Sequence, residues 1–280
     1  MKLFWFETYK TFSRWRTYIS FCALASIVIV SEIVMKLSAN EILYRMMKIF
    51  QKDFLISGNV LNGWFITGFI MNSLHIHIPF LITLVAGDMV SGEATTGTVR
   101  LLLIRPPSRS KIIIAKYLTA LFYTAGLVLF FGVLCVLLGI ALFGTGDLVV
   151  HHYGKFGFAL IPEAQIPLRM LLAFGAAIWS MTVVASLAFL FSALAENSVG
   201  PIIGSMAVVI AFLVFGNLPL DFFRNLSPYL FTSYMNIWQR SFDVPIPWSS
   251  IGGSAAILGL HNIGLFLIAL MIYRRKDIKS

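Results

Sequence analysis

Along the chain, apolar residues run in long unbroken stretches, and charged residues gather in short islands between them. A helix needs about 20 apolar residues to cross a bilayer core. Six stretches of that kind are predicted, over residues 18–35, 63–87, 117–143, 168–195, 199–216 and 251–273. The pattern therefore predicts an all-α membrane protein with one six-span domain covering residues 1–280. Ahead of the first span, Lys2, Lys10, Arg14 and Arg16 interleave with Phe4, Trp5, Phe6, Phe12 and Trp15, which predicts an interfacial amphipathic helix over residues 1–17. Between the first two spans, Ile42, Leu43, Met46, Met47, Phe50 and Phe54 recur at helical spacing opposite Arg45, Lys48 and Lys52, which predicts a helix on the outer membrane surface. Residues 217–250 are too polar and Pro-rich for a simple span. Their aromatic residues, among them Phe222, Phe223, Tyr234 and Trp238, fit an interface or a re-entrant pair of short helices.

Polar residues inside the apolar stretches are few, so each carries information. Glu32, near the outer end of the first span, and Arg169, at the outer end of the fourth, are expected to snorkel to the interface. In the second span Gly68, Asn72, His75 and Pro79 fall on one helical stripe, while His77 points elsewhere. That stripe is expected to pack against a partner helix or to line a translocation path, as are His261 and Asn262 in the sixth span. Ser180, Thr182 and Ser186 are hydroxyls suited to helix contacts, and His151 and His152 lie in a stretch expected to be a solvated loop. Cys22 and Cys135 both sit in apolar runs and read as small buried hydrophobes.

Composition narrows the class. At 59% hydrophobic residues the chain is too apolar for a soluble domain, and a nucleic-acid binder is excluded. The net charge of +9 sits mostly beside spans, where it orients the chain and attracts anionic lipid. With the first loop inside, 13 Lys and Arg fall on the inner side against 8 on the outer, so a multi-pass protein of the plasma (inner) membrane with both termini cytoplasmic is expected.

One charged island stands out, from Gly87 to Lys116. Asp88, Glu93, Arg100, Arg105, Arg109, Lys111 and Lys116 fall within it, although only 12% of the chain is charged. If its first part is helical, Glu93, Gly97 and Arg100 share a face; Pro106 and Pro107 then force the chain out of helix, and Ser108 can cap the next one. The order Glu93, Gly97-Thr98, Leu102-Leu103, Pro106-Pro107-Ser108-Arg109 and Lys116 resembles the first cytoplasmic loop in membrane subunits of type-two ATP-binding-cassette exporters. Glu7 and Lys10 are similar to the elbow helix of those subunits, and Leu226-Ser227-Pro228 with Tyr234 to the segment before their last span.

The resemblance implies a type-two exporter fold and a permease subunit coupled to a separate ATPase. It makes residues 88–116 the coupling loop, with Asp88, Glu93, Gly97, Thr98, Arg105, Ser108, Arg109 and Lys116 facing that partner, and Glu196 at a second, smaller contact. Glu93 and Arg109 would present both signs of charge to a groove on the partner. A second copy of the chain, or a sister permease, would complete the transporter. The sequence has no G-x-x-x-x-G-K-[ST] run, so no cofactor is expected in this chain, and ATP and magnesium would sit on the partner. No zinc spacing or catalytic constellation is visible either. Two other readings stay open: an intramembrane enzyme using His75, His77 or His261, and a passive channel or carrier.

Overall fold

The computed structural model describes residues 2–41, 61–74, 76–95, 108–151 and 158–275. Helix α1 (Lys2–Phe12) precedes α2 (Trp15–Leu37); α3 (Gly63–Ser73) and α4 (His77–Ala86) follow, then the short α5 (Ser91–Thr95). Next come α6 (Arg109–Phe143), an antiparallel pair of short strands, β1 (Leu148–His151) and β2 (Phe158–Ile161), and α7 (Ile166–Leu194). The chain ends with α8 (Val199–Asn217), the short α9 (Asp221–Leu226), a 3-10 segment Phe231–Phe242 and α10 (Trp248–Arg275). The helices α2, α6, α7, α8 and α10 are each long and apolar enough to cross a membrane. The pair α3 and α4 meets the same test jointly, bent by 60° at the break between them. The chain is thus a mostly helical membrane protein, with five helices able to span and one broken pair among the described residues.

Helix α7 is the hub. In its most apolar window 78% of residues are buried inside the protein, against 17% for α10, so α7 is the span the others surround. Its sequence explains this: Ala173, Ala177, Ser180, Ala185, Ser186, Ala188 and Ala193 are buried small residues that let neighbouring backbones come close. Polar pegs then fix the neighbours. Ser186 Oγ donates to Asn262 Oδ1 at 2.6 Å, Asn262 Nδ2 donates to Thr182 Oγ1 at 2.8 Å, and the Tyr117 hydroxyl meets Ser186 Oγ at 2.8 Å, tying α6, α7 and α10 together. The Trp179 indole donates to the Ala255 carbonyl at 2.9 Å on the same seam.

Helices α3 and α6 touch backbone to backbone. A Cβ on Gly63 would lie 2.5 Å from the Gly139 carbonyl carbon, so only glycine allows this approach. Thr67 Oγ1 donates across the contact, 2.8 Å from the Gly63 carbonyl and 3.2 Å from that of Cys135. Asn62 caps α3 by accepting from Phe65 N at 3.1 Å, and its amide donates to Asp147 O at 2.7 Å.

Several expectations are corrected. The second span is not one straight helix. Pro79 has no N–H to donate to the preceding turn and its ring crowds that turn, so the helix breaks just ahead of it and the Gly68 to Pro79 stripe is split over two axes. The helix that carries the third span begins at Arg109, ahead of Tyr117, so Lys111 and Lys116 belong to α6 rather than to a loop; Ser108 occupies its N-cap without a side-chain cap bond. Arg169 does not snorkel. It is buried and donates to the Ser241 carbonyl at 3.2 Å and the Asp243 carbonyl at 2.8 Å, because the segment before α10 folds back over it. Cys22 is exposed on α2, and only Cys135 is buried. The stretch containing His151 begins as strand β1. Residues 217–250 do form short helical pieces, as their aromatic content predicts. Of the surface helix predicted between Lys36 and Asn62, residues 42–60 lie outside the described residues, as do His75, Gly97, Thr98 and Arg105.

Glu32 also departs from expectation. It faces inward on α2 with no exposure, and neither carboxylate oxygen has a hydrogen-bond partner. A buried polar group without a partner costs about 1–3 kcal/mol. Glu32→Leu is therefore expected to raise the thermal midpoint of the detergent-solubilised protein by a few degrees; a lower midpoint would show that the carboxyl is engaged in the native membrane.

Candidate functional site

Helix α1 lies against the bundle in an unusual sense. Its polar residues Glu7, Thr8 and Thr11 are buried, while Trp5, Phe6 and Tyr9 are exposed. Such a helix sets its aromatic face toward lipid and its charges toward the protein. Phe4 and Phe12 both rest edge-on against Phe122 of α6, which holds the helix at that angle. The Thr8 and Thr119 hydroxyls are 3.2 Å apart, and Thr11 Oγ1 donates to the Glu7 carbonyl at 2.9 Å.

The charges that α1 turns inward meet the charges of the island. Lys116 Nζ on α6 lies 2.9 Å from Glu7 Oε2 and 2.5 Å from Glu93 Oε1. Lys10 pairs with the same Glu93 oxygen. Past the end of α1, Arg14 Nη1 at the N-cap of α2 reaches Asp88 Oδ2 at 2.8 Å, and Arg16 Nη1 in the first turn of α2 reaches Asp88 Oδ1 at 3.3 Å. Among the described residues, Lys10, Arg14, Arg16 and Lys116 thus face Glu7, Asp88 and Glu93, and the opposite charges let the centre of the cluster leave water. The two arginine pairs are partly exposed and contribute little, whereas Glu7, Glu93 and Lys116 are buried and cannot lose a partner cheaply. Burial by itself would raise the Glu93 pKa, but Lys116 and then Lys10 outweigh it and hold the carboxyl below the ordinary glutamate range.

The backbone of α5 is anchored as firmly as its side chain. Ser192 Oγ, in the last turn of α7, accepts from Val90 N and from Ser91 N, each at 3.0 Å, and donates to Ser91 Oγ at 3.2 Å. Gly92 leaves room for the Asp88 carboxylate, which would collide with any Cβ there. A five-residue helix is thereby pinned to three separate elements: α1 through Lys10, α6 through Lys116 and α7 through Ser192.

Of the residues singled out from the sequence, Asp88, Glu93 and Lys116 come together in this cluster. Glu93 does not face outward as expected; the two lysines draw it inward, leaving it 3% exposed. Ser108 is exposed and Arg109 half-buried at the start of α6, and Glu196 is exposed in the turn between α7 and α8. Asn72 is exposed and accepts from Gln239 Nε2 at 2.8 Å. Asn262 is held in the α7 seam, and His261 lies 2.9 Å from the Ile257 carbonyl and 3.3 Å from that of Tyr229. Thr8, Arg14, Arg16 and Ser192 joined the site only in three dimensions, although the placing of Glu7 and Lys10 three apart on α1 is a signal in the sequence. Among the described residues no group of His, Cys, Asp and Glu could hold a metal ion.

The fold and this cluster define a polytopic helical membrane protein in which a buried charge network binds an amphipathic N-terminal helix to the chain between its spans. The chain belongs to the family described as protein of unknown function DUF2705, whose model matches residues 23–279. It is 28% identical over 241 residues to the uncharacterized protein YhcI of Bacillus subtilis (strain 168), covering 81% of this chain and 74% of that protein. It is also 26% identical over 214 residues to the uncharacterized membrane protein YdbK of the same strain, covering 74% of this chain and 80% of that one.

Proposed function

We propose that this chain is the permease subunit of an ATP-driven transporter of the type-two exporter class, working beside separate ATPase chains and a second permease half. The observation that carries the reading is the pinning of α5 to α1, α6 and α7 by Glu93, Lys116, Glu7 and Ser192. A soluble partner that moves the segment between Asp88 and Arg109 would move three elements of the bundle at once. In this reading the bent pair α3 and α4 counts as one span, giving six, and the charged end of the bundle is cytoplasmic. ATP-driven closure of the ATPase pair pushes on the segment, and the spans repack by alternating access. Residues near that surface, Ser108, Arg109 and Glu196, take the role of contacts with the partner, while Asp88, Glu93 and Lys116 transmit the movement inward. The intramembrane-enzyme reading draws no comparable support, since both ring nitrogens of His261 lie near backbone carbonyls.

The test separates contact from scaffold. Arg109→Ala and Glu196→Ala should insert and fold normally, because Arg109 is half-buried and Glu196 exposed at helix ends, and both changes leave the buried Glu7, Glu93 and Lys116 in place. With the partner ATPase reconstituted in proteoliposomes, each should reduce substrate-stimulated hydrolysis by about tenfold, as expected for loss of a partly desolvated charged contact. Wild-type stimulation in both variants would remove this surface as the site of coupling.

A further inference from the structure

At the opposite end of the bundle from the charge network, a cavity of about 520 Å³ opens between the segment Phe231–Phe242 and the start of α10. Asn236, Gln239, Arg240, Ser250 and Ser254 supply polar groups to it, and Ile237 and Pro247 supply apolar wall. Arg240 dominates its electrostatics. The guanidinium donates to Ser250 Oγ and, at 3.5 Å, to Ser254 Oγ, and it forms no ion pair with a carboxylate among the described residues. A guanidinium has five donors in a planar fork, so two neutral hydroxyls leave both its charge and most of its donors uncompensated. Asp243 also borders the cavity, and Arg169 grips the same turn through the Asp243 carbonyl. Trp248, next in sequence to the lining residue Pro247, is exposed, and Tyr234 lines the cavity, which is the aromatic content expected at the head-group layer of a membrane.

We propose that this cavity is a binding site for an anionic phosphate ester carried on an apolar chain, with Arg240 as the phosphate fork, Ser250 and Ser254 as flanking hydroxyls, and the Ile237 and Pro247 wall receiving the first part of the chain. A planar fork matches the paired oxygens of a phosphate, and a half-polar, half-apolar cavity at head-group level matches an amphiphile better than a free ion. Calling this ligand the transported cargo rests on the permease reading, but the binding is a property of this chain alone and is measured without any ATPase.

The full chain in phosphatidylcholine nanodiscs is titrated with short-chain phosphatidylglycerol, and in a parallel arm with inorganic phosphate. Tryptophan fluorescence reports binding, since Trp238 and Trp248 lie on the two elements that form the cavity. Wild type should saturate with phosphatidylglycerol, and Arg240→Gln should raise the apparent Kd at least about tenfold. Because Arg240 also links two elements, Ser250→Asp provides the second variant: it keeps the guanidinium, pairs it internally, and should raise the Kd similarly while leaving the fold intact. Ser250→Ala should stay within about threefold of wild type. Saturation by inorganic phosphate with the same dependence on Arg240 would keep the anion site but assign it to a soluble phosphate. Absence of saturable binding to either probe, or equal affinity in wild type and Ser250→Asp, would overturn the proposal.

Discussion

Lys116→Met is expected to lower the thermal midpoint of the purified protein by on the order of 10 °C, the largest effect of any single side-chain change at the charge network. Lys116 is 1% exposed and is shared by Glu7 and Glu93, and Glu7 Oε1 already has no partner. Removing the lysine takes from two buried carboxylates the cation they share, and breaking a buried pair in this way costs about 3–5 kcal/mol. The triple change Lys116→Met, Glu7→Gln and Glu93→Gln should recover most of the loss, because the uncompensated charge disappears with its partners. The network has a pH signature as well. Because the Glu93 pKa is lowered in the folded protein, its contribution is fully present above the ordinary glutamate range and is lost as pH falls through the lowered value. Differential scanning fluorimetry of the three proteins settles the point: a single variant as stable as wild type would mean that Glu7 and Glu93 are not held by Lys116.

A second large effect is expected where two backbones touch. Gly63→Val should prevent α3 from docking on α6, since even a Cβ would sit 2.5 Å from Gly139 C and Ile140 N, both rigid backbone atoms. Overpacking of this kind costs about 1–3 kcal/mol where side chains can give way, and more where backbone cannot. The Thr67 bond to the Cys135 carbonyl and the Gly63 N bond to the Gly144 carbonyl at 2.8 Å would go with it. Gly126→Ala on α6 is the control, because nothing lies within 4 Å of its would-be Cβ. It should be neutral or slightly stabilising, as helical glycine is about 1 kcal/mol worse than alanine. Yield of monodisperse protein after detergent extraction checks both; equal yields for Gly63→Val and Gly126→Ala would refute the close contact.

The spans were legible because membrane crossing demands a local property, an apolar run of sufficient length. The observed helices extend the predicted runs by a few residues, as with Trp15–Leu37 against 18–35. What the pattern could not contain was which polar residue answers which. Lys116 and Glu7 are 109 positions apart, and Lys10 and Glu93 are 83 apart. The charges themselves were conspicuous, yet their position between spans made an outward, solvent-facing loop the natural reading. Arg169 failed for the same reason: near a helix end a cation ordinarily reaches for water, and only the folding back of Ser241 and Asp243 supplies carbonyls in the interior. Pro79 was visible from the start, but a helical stripe drawn through it assumes the straight axis that proline itself destroys.

The central claim is that this chain passes on the work of an ATPase it does not contain. The most direct measurement is gentle purification of the tagged full chain from its native membrane, with ATP and vanadate added to trap the assembly, followed by identification and stoichiometry of the retained proteins. The account predicts a soluble chain carrying a G-x-x-x-x-G-K-[ST] phosphate loop, present in a fixed ratio to this one and released by Arg109→Ala. Recovery of the chain with no nucleotide-binding protein, under conditions where the wild-type membrane protein stays folded, would contradict it.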